Sequence, residues 1–110
     1  MSKTDAAIGF ARYLKGRGVD GFESEVMLNT PITKHRWDLV HRELKIAIEI
    51  QGGVWMNKGA HNTGVAINRD AWKINTTVLL GYRPLVFTTD QITKDPEGCI
   101  DVIRRVAMMK

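Results

Sequence analysis

Residues 36–53 read R-W-D-L-V-H-R-E-L-K-I-A-I-E-I-Q-G-G, from Arg36 to Gly53, and the reading of this stretch decides the fold. It parses as two short strands, 36–41 and 45–51, joined by a turn at Arg42–Glu43–Leu44, which predicts a tight antiparallel hairpin. Side chains on a strand alternate between faces, so Ile46, Ile48 and Ile50 share one face while Ala47, Glu49 and Gln51 share the other. The isoleucine face belongs in a core. The other face carries a mid-strand carboxylate beside a small alanine. Partial burial of such a group is costly unless a cation or a hydrogen-bond donor meets it. Asp38, on the preceding strand, can present a second carboxylate to the same space. Two close carboxylates repel unless a divalent cation lies between them, and magnesium is suited to one or two carboxylates plus a phosphate.

Working outward, Phe22 to Asn29 alternates, with Phe22, Ser24, Val26 and Leu28 on one face and Glu23, Glu25 and Met27 on the other, so a further strand precedes the hairpin. Before it, residues 4–15 carry Ala7, Phe10, Ala11 and Leu14 at helical spacing, with Thr4 as cap and Gly16 as stop. After the hairpin, a glycine-rich polar loop from Gly52 to about Gly64 holds Trp55, Lys58, His61 and Asn62. A loop of that length inside a compact domain is more often functional than idle. Asn62 or Thr63 then caps a helix running to Leu80, with Ile67, Ala71, Ile74 and Val78 as its expected inner face and Arg69, Lys73 and Thr76 on a different one. Pro84–Thr88 is a short apolar strand. Asp95-Pro96-Glu97 starts a last helix that packs Ile100, Ile103 and Ala107 and exposes Arg104 and Arg105. The order α-β-β-β-α-β-α implies one domain, 1–110. A strand meander is followed by a helical crossover to a fourth strand parallel to the third, giving a three-layer α/β/α arrangement with a mixed sheet.

Composition narrows the function classes. The 110 residues are 44% hydrophobic and 25% charged, as in ordinary globular proteins, and no apolar run approaches the roughly 20 residues of a membrane span. A cytoplasmic location is expected. Cys99 is the single cysteine, which excludes a disulfide framework within the chain and a cysteine-based zinc site, and suits a small buried core residue. A net charge of +4 permits binding to a polyanion without demanding it.

Asp38, ten intervening residues, then Glu49-Ile50-Gln51 resembles the D-(X)n-E-X-K/Q motif of the PD-(D/E)XK nuclease superfamily. The element order matches that superfamily's restriction-endonuclease-like core. R-W-D-L-V, E-L-K-I-A-I-E-I-Q-G-G, His61, N-R-D-A-W-K-I-N and L-L-G-Y-R-P-L-V-F-T together resemble small stand-alone phage and bacterial nucleases akin to the very-short-patch-repair endonuclease. The likeness runs from about Glu25 to Gln91.

The resemblance implies a Mg²⁺-dependent endodeoxyribonuclease, with Mn²⁺ as a substitute cation and DNA as the partner. Its preference would be for nicks, flaps or junctions, because so small a domain has little surface for reading base edges. Asp38, Glu49 and the Ile50 carbonyl would be the metal ligands. Gln51 stands where most members carry lysine, and Lys73 on the following helix is the candidate replacement; the competing reading makes Lys73 a surface partner of Asp70. Glu25 and His61 are additional candidates for the site. Lys34, Arg36, Trp55, Lys58 and Arg69 are candidates for DNA contact, and a homodimer would allow both strands to be cut. His41 alternates away from Asp38 and is not expected to share a metal with it. The alternative function is a DNA-binding module derived from a nuclease fold that no longer cuts, a reading that the glutamine at 51 keeps open.

Overall fold

The computed structural model describes residues 3–52 and 64–109. Its elements are α1 (Lys3–Gly16), β1 (Glu23–Asn29), β2 (Lys34–His41), β3 (Ile46–Gln51), α2 (Gly64–Val78), β4 (Arg83–Thr88), α3 (Thr89–Lys94) and α4 (Pro96–Ala107). The strands form one mixed sheet in the order β1-β2-β3-β4, antiparallel from β1 to β3 and parallel between β3 and β4. The expected meander and crossover are therefore present. Among the described residues, no helix is long and apolar enough to cross a membrane.

Each face of the sheet carries its own apolar cluster. Ile46, Ile48 and Ile50, all fully buried, pack with Phe10 and Leu14 of α1, Phe87 of β4, Ile92 of α3 and Ile100 and Ile103 of α4. On the other face Ala47 packs with Val26, Leu28, Trp37, Val40 and Tyr82, and Ile74 of α2 closes over them. The alternation of β3 separates the two clusters, because Ala47 and the flanking isoleucines point in opposite directions.

The short helix α3 was not anticipated. Its signal is local: Thr88 Oγ1 accepts from the Gln91 N–H at 3.0 Å while Gln91 Oε1 accepts from the Thr88 N–H at 3.0 Å, a complete capping box. Asp95 caps α4 as expected, accepting from the Gly98 N–H at 3.0 Å. Cys99 is a buried core residue, and burial raises its thiol pKa above the ordinary range.

Two expectations need correction. Phe22, Ser24, Val26 and Leu28 do not share a face. Val26 and Leu28 join Trp37 under α2, whereas Phe22 packs with the isoleucine cluster and stacks edge-on against His41. The side changes at Glu25, whose φ of 52° is the left-handed region in mid-strand. Its cross-strand neighbour changes side as well: Trp37 lies in the α2 cluster and Leu39 in the isoleucine cluster, although two residues apart they should agree. Pairing runs Ser24↔Leu39 and Val26↔Trp37, so both strands switch at the facing positions Glu25 and Asp38.

The second correction concerns α2. Ile67, Ala71 and Val78 are exposed, and of the four expected inner residues only Ile74 packs inward. Thr76 and Thr77 are buried instead, with Lys73 mostly covered. Polar groups turn inward because partners await them. Trp37 Nε1–H donates to Thr77 Oγ1 at 3.1 Å, and the Thr76 hydroxyl donates back to the Trp72 carbonyl at 2.8 Å.

Candidate functional site

The site lies where β2 and β3 part. Their ladder runs through His41↔Ile46, Val40↔Ala47 and Leu39↔Ile48 and goes no further. At the next position the Asp38 side chain takes over, with Oδ2 accepting from the Ile50 N–H at 2.7 Å. A carboxylate thus replaces a strand carbonyl as acceptor, and a charge-assisted bond replaces a neutral one. The N–H and C=O of a strand residue point to the same edge, so the Ile50 carbonyl also turns toward the Asp38 strand.

Glu49 is on the Ala47 side of β3, under α2. Lys73 reaches it from the helix, with Nζ 2.8 Å from Glu49 Oε1 and both side chains more than four-fifths buried. The same ammonium sits 4.4 Å from the centroid of the Trp37 ring, a cation–π contact that fixes its approach. Lys73 is therefore a partner of Glu49 rather than of Asp70. The register and the amphipathic pattern of α2 gave no warning of this, since Lys73 reads from spacing as an outward residue.

His35, on β2, belongs to the same neighbourhood. Its Nε2 is buried with no hydrogen-bond partner among the described residues, and burial, followed by the charge of Lys73, lowers its pKa from the ordinary 6.5. Nothing in the spacing singled out His35, Trp37 or Thr77 as site neighbours. Trp37 and Leu39, both apolar and two apart, read as sharing one face, so the sequence carried no sign of the change of side between them.

The remaining candidates are dispersed. Gln51 follows Glu49 on the same face by alternation and pairs with Thr88 of β4. Glu25 is exposed and opposite Asp38, and among the described residues no three acidic, histidine or cysteine side chains gather into a metal-binding group. Arg69 is exposed on α2. Lys34 and Arg36 are exposed on β2, where alternation turns them to the side opposite His35 and Trp37. His61, Trp55 and Lys58, together with the capping residues Asn62 and Thr63, lie outside the described residues. His41 is structural. Its Nδ1 accepts from the Leu44 N–H at 3.0 Å, which leaves Nε2–H to donate to the Asp20 carbonyl at 2.9 Å.

Chemically, the arrangement sets two carboxylates from adjacent strands and one main-chain carbonyl at the open end of a strand pair, with an ammonium held against one carboxylate. Compared with protein-family models, with curated proteins and with solved structures, the chain matches none.

Proposed function

We propose that the protein is a small Mg²⁺-dependent endodeoxyribonuclease with a three-layer, restriction-endonuclease-like core. The observation that carries this reading is the delivery of Lys73 onto Glu49 from α2. A PD-(D/E)XK-type site with glutamine at position 51 lacks its usual cation, and Lys73 supplies one from another element.

The donor set fits magnesium. Asp38, Glu49 and the Ile50 carbonyl are hard oxygen donors, and one or two protein carboxylates are what this ion takes when it also binds phosphate. When bound, the ion would polarise a phosphoryl oxygen and make a water more acidic. The chain's own residues do the rest. Lys73 brings positive charge to the scissile phosphate, where charge builds as the attacking oxygen adds in line with the leaving one. Gln51 orients the attacking water through its amide without adding charge. Trp37 holds the Lys73 ammonium so that it need not reorganise during the reaction. Arg69, and Trp55 and Lys58 from the preceding loop, would contact the DNA backbone and bases beyond the scissile group. Structure-selective cleavage of nicks, flaps or junctions suits the small surface.

The test is incubation of supercoiled, linear, nicked and branched DNA with the protein in Mg²⁺ or Mn²⁺, beside Glu49→Ala. Cleavage by the natural chain and none by the variant, with EDTA abolishing it, is expected. Equal cleavage by both would overturn the assignment. A second reading, a DNA-binding module without cleavage, is favoured by the same ion pair, because a glutamate already neutralised by lysine has less call for a metal. DNA binding that survives EDTA, with no product in either cation, would select it.

A further inference from the structure

Resting on the nuclease reading for the identity of the partner, we infer that β2 is a phosphate track, on which Arg36 and Lys34 hold the two successive DNA phosphates next to the one at Asp38. The ladder between β2 and β3 ends at Leu39↔Ile48, whereas β1 and β2 stay paired as far as Asn29↔Lys34. A two-stranded arm therefore runs on past the site, with Asp38 at its root. From Val26 to Trp37 this arm carries Lys34, His35 and Arg36 and no carboxylate, in a chain with 12 acidic residues.

The two faces of the arm differ. Val26, Leu28 and Trp37 are buried on the side that Ile74 of α2 closes over. The opposite side presents two cross-strand pairs, Met27↔Arg36 and Asn29↔Lys34, and all four residues are exposed. A face with two cations and no anion is the complement of an anionic partner. Spacing selects which one. Residues two apart on a strand are about 6.8 Å apart, close to the separation of successive phosphates along a nucleic-acid strand. Lys34, Arg36 and Asp38 follow one another at this interval, so a strand with one phosphate at Asp38 sets its next two beside the guanidinium and then the ammonium. A free phosphate or a lipid headgroup does not call for that repeat. The arm also holds its shape before binding, which lowers the cost of ordering it. Its inner side is packed, and at its tip Thr30 Oγ1 accepts from the Thr33 N–H at 2.9 Å and from the Ile32 N–H at 3.2 Å.

The experiment is fluorescence anisotropy of labelled duplex DNA titrated with the full chain in EDTA, at salt from about 50 to 200 mM. Lys34→Gln/Arg36→Gln is compared with Arg12→Gln/Lys15→Gln, which removes the same charge from exposed positions on α1. The arm variant should keep the far-ultraviolet dichroism of the natural chain and bind about tenfold more weakly at the lower salt. Its plot of log affinity against log salt should flatten by about 1.8, two phosphates at about 0.9 each. The α1 variant should keep the natural affinity and slope. An arm variant with the natural affinity and slope would overturn the track while leaving cleavage, and with it the nuclease reading, untouched. Equal losses from the two variants would overturn it too, since only net charge would then matter. So would a natural chain that binds no duplex, or one that prefers anionic phospholipid vesicles; cleavage beside Glu49→Ala decides the nuclease reading separately.

Discussion

Lys73 Nζ lies 2.8 Å from Glu49 Oε1, and at 13% and 18% side-chain exposure the two form a largely buried ion pair. Removing one partner of such a pair leaves the other charge largely buried without this counterion, which costs more than the pair itself contributes. Lys73→Met is therefore expected to lower stability by about 1–3 kcal/mol. The Lys73→Met/Glu49→Gln double variant should recover part of that loss. Urea unfolding of the four chains as a double-mutant cycle measures the coupling, and strict additivity would contradict it.

Asp38 serves the fold as well as the site. Asp38→Ala leaves the buried Ile50 N–H without its acceptor, with an expected loss of about 1–3 kcal/mol. Asp38→Asn keeps an oxygen acceptor and should remain within about 1 kcal/mol of the natural chain. If the carboxylate also serves cleavage, Asn at 38 should separate the two roles, folding normally and cutting little. Denaturation paired with a nicking assay distinguishes them.

The neighbourhood of Lys73 predicts a pH dependence with a definite sign. His35 is held neutral in the folded state, below its ordinary 6.5, by burial and by Lys73. The unfolded chain therefore binds the proton first as pH falls. The stability contributed by neutral His35 is full above 6.5 and is lost as pH drops through the lower folded value. Glu97 adds a separate, more acidic step. Arg17 and then Tyr13 hold its carboxyl below the ordinary 4.5, so its contribution is present above 4.5 and is lost at lower pH still. His35→Phe should remove the first step and leave the second, as read from melting temperatures between about pH 3 and 7.5. An unchanged upper step in that variant would show that another group titrates there.

Gly21→Ala is expected to destabilise by about 1–3 kcal/mol for two reasons. The backbone has φ of 103°, and a β-carbon there would come within 2.6 Å of His41 Nε2. The displaced imidazole would give up its bonds to the Asp20 carbonyl and the Leu44 N–H, which tie the hairpin turn to the segment before β1. Chemical denaturation gives the magnitude, and a neutral result would place this link outside the stabilising set.

Much of the fold was legible because periodicity was strong where burial was one-sided. The isoleucines of β3, the Asp95-Pro96 start of α4 and the parallel return to β4 all follow from local signals. α2 was misread because its apolar residues face outward and its threonines and lysine face in, so a rule that sends apolar residues to the core inverts it. The outward face also made Lys73 look like a surface charge. Asp38 and Glu49 stood out as polar residues in apolar strands, but the bond from Ile50 N–H to Asp38 depends on where the β2–β3 ladder ends. No spacing encodes that.

The paired change of side at Glu25 and Asp38 bears on how these strands find their alignment. In a regular antiparallel pair a slip of one residue turns every side chain to the wrong face, but a slip of two preserves the alternation and is resisted only by side-chain fit. Here two strands each carry one point where the faces exchange, and the two points must coincide. A two-residue slip would set them apart and leave a segment with Val26 or Trp37 facing solvent. The irregularity therefore works as a vernier mark, admitting one alignment of β1 on β2 and carrying Asp38 to the end of the β3 ladder each time the chain folds.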